Sequence, residues 1–206
     1  MATLPDPSKL PKTAKRSHCK LFRGGIVAIR IVCGLGNPDA EYARTRHNAG
    51  FATVDSVAAR RGVRYWKSEA GAQVASITVT DKDGERREVL LAKPMSYMNT
   101  SGGPLSKLAR AHRVKPEEIL VVHDEVDLPA GEVRLKLGGG LNAHNGLRSI
   151  ADKLGSRDFA RVQFGIGRPP GRMPVADYVL RELKGAFLED FELTVERAAD
   201  LLEQSL

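Results

Sequence analysis

His47 and Asp124 are the residues best placed by type and position to make water react. The triplet Arg46-His47-Asn48 opens a segment of helical spacing, and Asp124 follows the apolar run 119–122. A carboxylate bonded to the Nδ1–H of an imidazole fixes its tautomer and leaves Nε2 free to take a proton. That is the base half of a hydrolytic triad. The nucleophile half is missing. The sequence holds no GxSxG elbow, and neither Cys19 nor Cys33 lies in a setting that activates a thiol. A His–Asp pair without a serine points to water as the nucleophile. His47, His123, His144 and Asp124 are also residue types of a metal site. Their spacing includes no HxxxH or HExxH, and the histidines fall on three separate segments, so no metal is assigned.

Two other patterns involve phosphate. Gly34-Leu35-Gly36-Asn37-Pro38-Asp39 begins like the dinucleotide fingerprint GxGxxG but has Asp39 at the third glycine, where it would repel pyrophosphate. Pro38 also removes a backbone N–H, so a nicotinamide cofactor is not expected. Arg134, Lys136, Arg148 and Arg161 surround Gly138-Gly139-Gly140. A glycine loop opening a helix attracts phosphate through its backbone N–H groups. Scattered cations on a solvated edge strand explain the same residues equally well.

These side chains need elements to position them. Residues 26–35 form an apolar strand broken by Gly34, Gly36 and Pro38. Phe51, Val54, Val57 and Ala58 predict a helix stopped by Gly62. Residues 73–80 and 86–92 predict a hairpin around Asp83-Gly84. Further strands are expected at 119–122, 133–137 and 162–166. Further helices are expected around 105–112 and 147–154, and from Leu188 to Leu202. The alternation implies an α/β fold: one layered domain with a mixed, mostly parallel central sheet flanked by helices. Ligands of such sheets bind beyond the carboxyl ends of the parallel strands. Asn37, Asn99 and Asp124 each follow a strand, which predicts one cleft that also gathers nearby histidines.

Composition narrows the class. The chain has 206 residues, 42% hydrophobic and 28% charged, as an ordinary folded globule does. No apolar run reaches the length of a membrane span, so no membrane association is expected. Two cysteines without a CxxC give neither a disulfide framework nor a cysteine zinc site, which fits a reducing, intracellular setting. The net charge of +7 is uneven: residues 1–30 hold seven Lys/Arg and one acid, and the rest is nearly balanced. Residues 1–25 carry three prolines and no apolar period, which predicts a mobile basic tail ahead of a domain over 26–206. An organellar transit peptide and a start codon truly near Val27 are the other readings of that segment.

Taken together, five strings resemble bacterial-type peptidyl-tRNA hydrolase. They are GLGNPDAEYARTRHNAGF (34–51), KPMSYMNTSGGPL (93–105), VVHDEVDLPAGEVRLKLGGG (121–140), HNGLRSI (144–150) and FGIGRPPG (164–171). The resemblance spans 31–180, in order. It implies a monomeric, cytoplasmic α/β enzyme that cleaves the ester between a peptide and the terminal ribose of tRNA, without metal or cofactor. His47 becomes the general base and Asp124 its orienting carboxylate. Asn37 and Asn99 bind substrate near the ester, and Asn145 contacts the peptide or 3′ end and helps place water. Tyr42, Met98 and His144 line the cleft. Lys136 matches half of a clamp on the tRNA 5′-phosphate, and Arg134 and Arg161, read above from their place around the glycine loop, are expected as further phosphate contacts.

The sequence departs from the family pattern in places. Leu141, Asn142 and Ala143 stand where small glycines are usual, so Ala143 would be strained if its φ is positive. Gln163 stands where an arginine is frequent, which weakens the expected clamp. Asp39 replaces a glycine, and relatives usually continue past the position of Leu206. An RNA-binding relative without turnover, and a hydrolase of small esters, are the alternative functions. The intact His47, Asp124, Asn37, Asn99 and Asn145 favour the hydrolase of peptidyl-tRNA.

Overall fold

The computed structural model describes residues 28–81 and 84–206. The basic segment 1–25, the start of the first expected strand and Asp83 of the hairpin turn lie outside the described residues.

Seven strands make one sheet in the order β2-β3-β4-β1-β5-β7-β6. They are β1 (Ile31–Gly34), β2 (Lys67–Glu69), β3 (Ala72–Thr80), β4 (Arg86–Pro94), β5 (Ile119–Glu125), β6 (Val133–Leu137) and β7 (Ala160–Gly165). The central pairs β4/β1, β1/β5 and β5/β7 are parallel. The outer pairs β2/β3, β3/β4 and β6/β7 are antiparallel. Only β3 and β6 therefore run against the rest, and the mixed, mostly parallel sheet holds.

Alternation along the strands feeds two cores. Val32, Leu120 and Val122 join α1 (Ala49–Arg60) and α5 (Ala186–Gln204) on one face. Ile31, Cys33, Ile119 and Val121 join α2 (Gly102–Ala111) and α3 (Asn145–Leu154) on the other. Each fully buried Leu, Ile or Val stabilises the fold by about 1.5–3 kcal/mol relative to exposure. Burial also pushes the Cys33 thiol up to about 12, so it stays protonated and inert.

Two elements were not expected. β2 is three polar residues held by pairing with β3. The short helix α4 (Val175–Leu180) buries only Val179, too little for a readable period. β5 also runs three residues past the expected end. His123, Asp124 and Glu125 continue the ladder against Gln163, Phe164 and Gly165 of β7. Polar residues thus sit inside a strand, at its carboxyl end.

Candidate active site

His47 lies in a short 3-10 turn, Arg46–Asn48, just ahead of α1. Close packing fixes that turn. A Cβ on Gly50 would lie 2.3 Å from both Leu35 N and Val122 O, so only glycine lets α1 start against the ends of β1 and β5. The neighbouring Asn48 is buried and brackets Asn37: its Oδ1 accepts from Asn37 N–H at 2.9 Å, and its Nδ2 donates to Asn37 O at 3.0 Å. Asn37 passes the alignment on, because its Oδ1 accepts from Met98 N–H at 2.9 Å. The loop after β1, the start of α1 and the loop after β4 are thereby fixed to one another. On the far side, Leu183 N–H donates to Arg44 O and anchors the segment that follows α4.

Asp124 is the centre of the site. It is 4% exposed, and alternation along β5 turns it to the α1 side. Its Oδ1 lies 2.9 Å from His47 Nδ1 and 3.0 Å from His144 Nε2. Burial opposes ionisation of Asp124, but the two histidines outweigh it and hold its pKa below the usual carboxylate range. An ionised carboxylate only accepts, so both ring nitrogens facing it carry hydrogen. His47 therefore presents Nε2 as its free nitrogen. His144 is different. It caps α3, with Nδ1 accepting from Leu147 N–H at 3.4 Å, so both of its nitrogens are in use. The two rings lie 5.2 Å apart. His47, Asp124 and His144 offer ligand atoms within 4.8 Å of one another, but these hydrogen bonds leave His144 no nitrogen for a cation.

His123 stands behind this pair. It is fully buried, and its ring lies 5.1 Å from that of His144. Burial, reinforced by His144, pushes its pKa down to about 3. A neutral His123 donates Nδ1–H to Asp124 O at 2.7 Å.

A cleft of about 580 Å³ collects Asn37, Tyr42, His47, Met98, Asn99, Asp124, His144 and Asn145. All eight residues expected for catalysis and substrate binding thus share one cavity. Sequence reasoning missed three further parts of it. His144 bonds Asp124 as well as lining the wall. Glu125 and Asn142 join it from beneath the loop before α3. Val175, Val179 and Leu180 of α4 form an apolar side with Tyr97. The one local signal was Glu125, adjoining Asp124 at the strand end.

The cations divide. Lys136 is half-buried and Arg134 exposed, both on edge strand β6 and outside the cleft. Arg161 needs correction as a phosphate contact. It is 1% exposed, and its guanidinium donates to Gly138 O and, at 2.7 Å, to Gly140 O. It sits beneath the glycine loop and does not face solvent. Gln163 is buried too, donating to Glu125 Oε2 at 2.8 Å. Ala143 has φ 59°, so the condition under which an alanine there is strained is met.

Similarity to known proteins gives the family. The profile described as peptidyl-tRNA hydrolase matches residues 31–206. A peptidyl-tRNA hydrolase of Streptomyces coelicolor is 51% identical over 174 residues, 84% of this chain and 86% of that protein. One of Frankia alni is 50% identical over 173 residues, 84% of this chain and 85% of that protein. The crystal structure of peptidyl-tRNA hydrolase from Acinetobacter baumannii superposes with a TM-score of 0.72 at 33% identity, covering 88% of this chain and 94% of that one. With its histidine and carboxylate joined at the carboxyl end of such a sheet, the chain belongs to the peptidyl-tRNA hydrolase family.

Proposed function

We propose that this chain hydrolyses the ester joining a peptide to the terminal ribose of tRNA, with water as nucleophile and His47 as general base. The observation that carries the assignment is the 2.9 Å bond from His47 Nδ1 to buried Asp124 in a cleft lined by Asn37, Asn99 and Asn145. His47 Nε2 takes a proton as water adds to the ester carbonyl carbon. The resulting oxyanion needs donors. Asn37 has its carbonyl engaged by Met98 N–H, so its amide N–H groups are what it offers the substrate. Asn99 and Asn145 supply further amides around the ester. Collapse of the adduct breaks the bond to the ribose oxygen, which receives the proton from His47. The peptide leaves as a carboxylic acid and the tRNA with its hydroxyl restored. Asp124 holds the ring orientation throughout and offsets the charge of the imidazolium.

The apolar side at Val175, Val179 and Leu180 suits the peptide. Lys136 suits a tRNA phosphate, as a point charge. Action as a monomer belongs to the same proposal, as the family resemblance implies. No helix among the described residues is long and apolar enough to cross a membrane. Translation supplies the substrate, which favours a cytoplasmic site of action. The test is His47→Asn, assayed for release of N-acetyl-aminoacyl ester from tRNA. Turnover should fall by at least about 10²-fold with tRNA affinity nearly intact. Near wild-type turnover would overturn the assignment.

A further inference from the structure

His144 and Asn145 enter the cleft at the end of the loop 138–143, and that loop does not hold itself. Asn142 and Ala143 are both left-handed, with φ of 46° and 59°. Side chains with a Cβ disfavour this region, and two such residues in succession need an outside constraint. Two buried residues provide it from below. Arg161 holds the first half through the carbonyls of Gly138 and Gly140. Glu125 holds the second half. Its Oε2 accepts from Asn142 Nδ2 at 2.8 Å and from Gln163 Nε2 at 2.8 Å, and its Oε1 accepts from Asp127 N–H at 3.1 Å. Glu125 and Gln163 are each 4% exposed, whereas Asn142 is exposed. Asn142 is thus the one loop side chain pinned to a buried carboxylate, two residues before His144.

We propose that Glu125 is a positioning residue for hydrolysis. Through Asn142 it holds residues 142 and 143 left-handed, and so sets His144 against Asp124 and Asn145 beside the substrate. This rests on the hydrolytic reading given above. A hydrogen bond to a carboxylate is stronger than one between neutral groups, so this tether fixes the second half of the loop as Arg161 fixes the first. A small misplacement of groups around the reacting atoms slows the chemical step more than it weakens binding, because the RNA arm supplies most of the affinity.

The test separates the tether from the fold. Asn142→Gly keeps the left-handed backbone at no steric cost and deletes only the side chain. It should lower kcat about 10-fold, with KM for peptidyl-tRNA within about twofold. Glu125→Gln should act in the same direction but more weakly, because its amide oxygen can still accept from Asn142 and Gln163 but only as a neutral acceptor, while its NH2 then meets Asp127 N–H. The double variant should be no slower than the slower single variant, since one change removes and the other weakens the same interaction. Asn142→Asp places a carboxylate against Glu125 and should cost more kcat than Asn142→Gly. It decides the matter even if Glu125→Gln does not fold. An unchanged kcat in Asn142→Gly, a loss confined to KM, or multiplicative losses in the double variant would each overturn the proposal. Multiplicative losses would mean that Asn142 touches substrate independently of Glu125. His47→Asn is run alongside. Its retention of turnover would sink the hydrolytic reading, whereas its inactivity beside an unaffected Asn142→Gly would sink the tether alone.

Discussion

Replacing His123 by leucine should remove a large part of the protein's acid sensitivity. His123 is 1% exposed in β5, and its Nε2 makes no hydrogen bond among the described residues. Burial, with His144 beside it, pushes its pKa from 6.5 to about 3. Between those values the unfolded chain binds a proton that the folded protein refuses. Stability from this site is therefore fully present above about pH 6.5 and is lost as the pH falls towards the folded value. From pH 7 to pH 5 the loss works out at about 2 kcal/mol at 25 °C. The figure depends little on the folded pKa, as long as that value stays well below 5. The assay is urea unfolding of both proteins at pH 7, 6 and 5. Leucine also forfeits the bond from Nδ1–H to Asp124 O, which lowers stability by a similar amount at every pH. The informative quantity is therefore the change between pH 7 and 5, which should be about 2 kcal/mol smaller in the variant. Equal losses in the two proteins would refute the claim that His123 is held neutral.

Asp124→Asn should lower kcat by about 10²–10⁴-fold, because an amide gives His47 and His144 no shared anion and can favour the wrong imidazole tautomer. A single-turnover rate within threefold of wild type would refute the pairing. Gln163→Arg should destabilise the protein by roughly 1–3 kcal/mol, because position 163 is buried and filled. Affinities for substrates with and without a 5′-phosphate should then remain equal to wild type, and a selective gain for the phosphorylated one would show that position 163 reaches the RNA. Lys136→Gln should reduce the slope of log affinity against log salt by about one unit. An unchanged slope would remove Lys136 from the phosphate contacts.

The His47–Asp124 pair was legible because local rules place it. Asp124 follows an apolar run that must be a buried strand, His47 precedes a helix, and α/β sheets gather such groups at one end. Asn37 and Asn99 follow from the same rule, as loop residues leaving β1 and β4. The second histidine was legible only as part of the wall. Its bond to Asp124 depends on the path of residues 138–143, and that path is set by contacts from strands far away in sequence. The first strand is shorter than the expected 26–35: it begins at Ile31, and the described residues 28–30 lie outside it.

Arg161 shows where residue type misleads. A cation beside three glycines suggests phosphate, and the suggestion fails because β7 is covered on both faces and flanked on both edges. Strand register tells the two cases apart. Arg161 and Gln163 pair with Val121 and His123, and Glu125 follows two residues later, so all five side chains share the face beneath α3. Opposed to one another on adjacent strands, a guanidinium, an amide, an imidazole and a carboxylate form a polar band inside the protein. Such a band is costly unless its groups are bonded. Here much of that bonding goes to one loop: two donors of Arg161 on glycine carbonyls, and one acceptor of Glu125 on Asn142. A glycine loop has little preference of its own and needs a template. The sequence signal of that template is the polar residue at every second position of two neighbouring strands, 123 and 125 against 161 and 163. The basic residue near the glycines thus belongs to the machinery that shapes the loop, and of the three cations proposed for phosphate only Arg134 and Lys136, on the edge strand, are left partly or fully exposed.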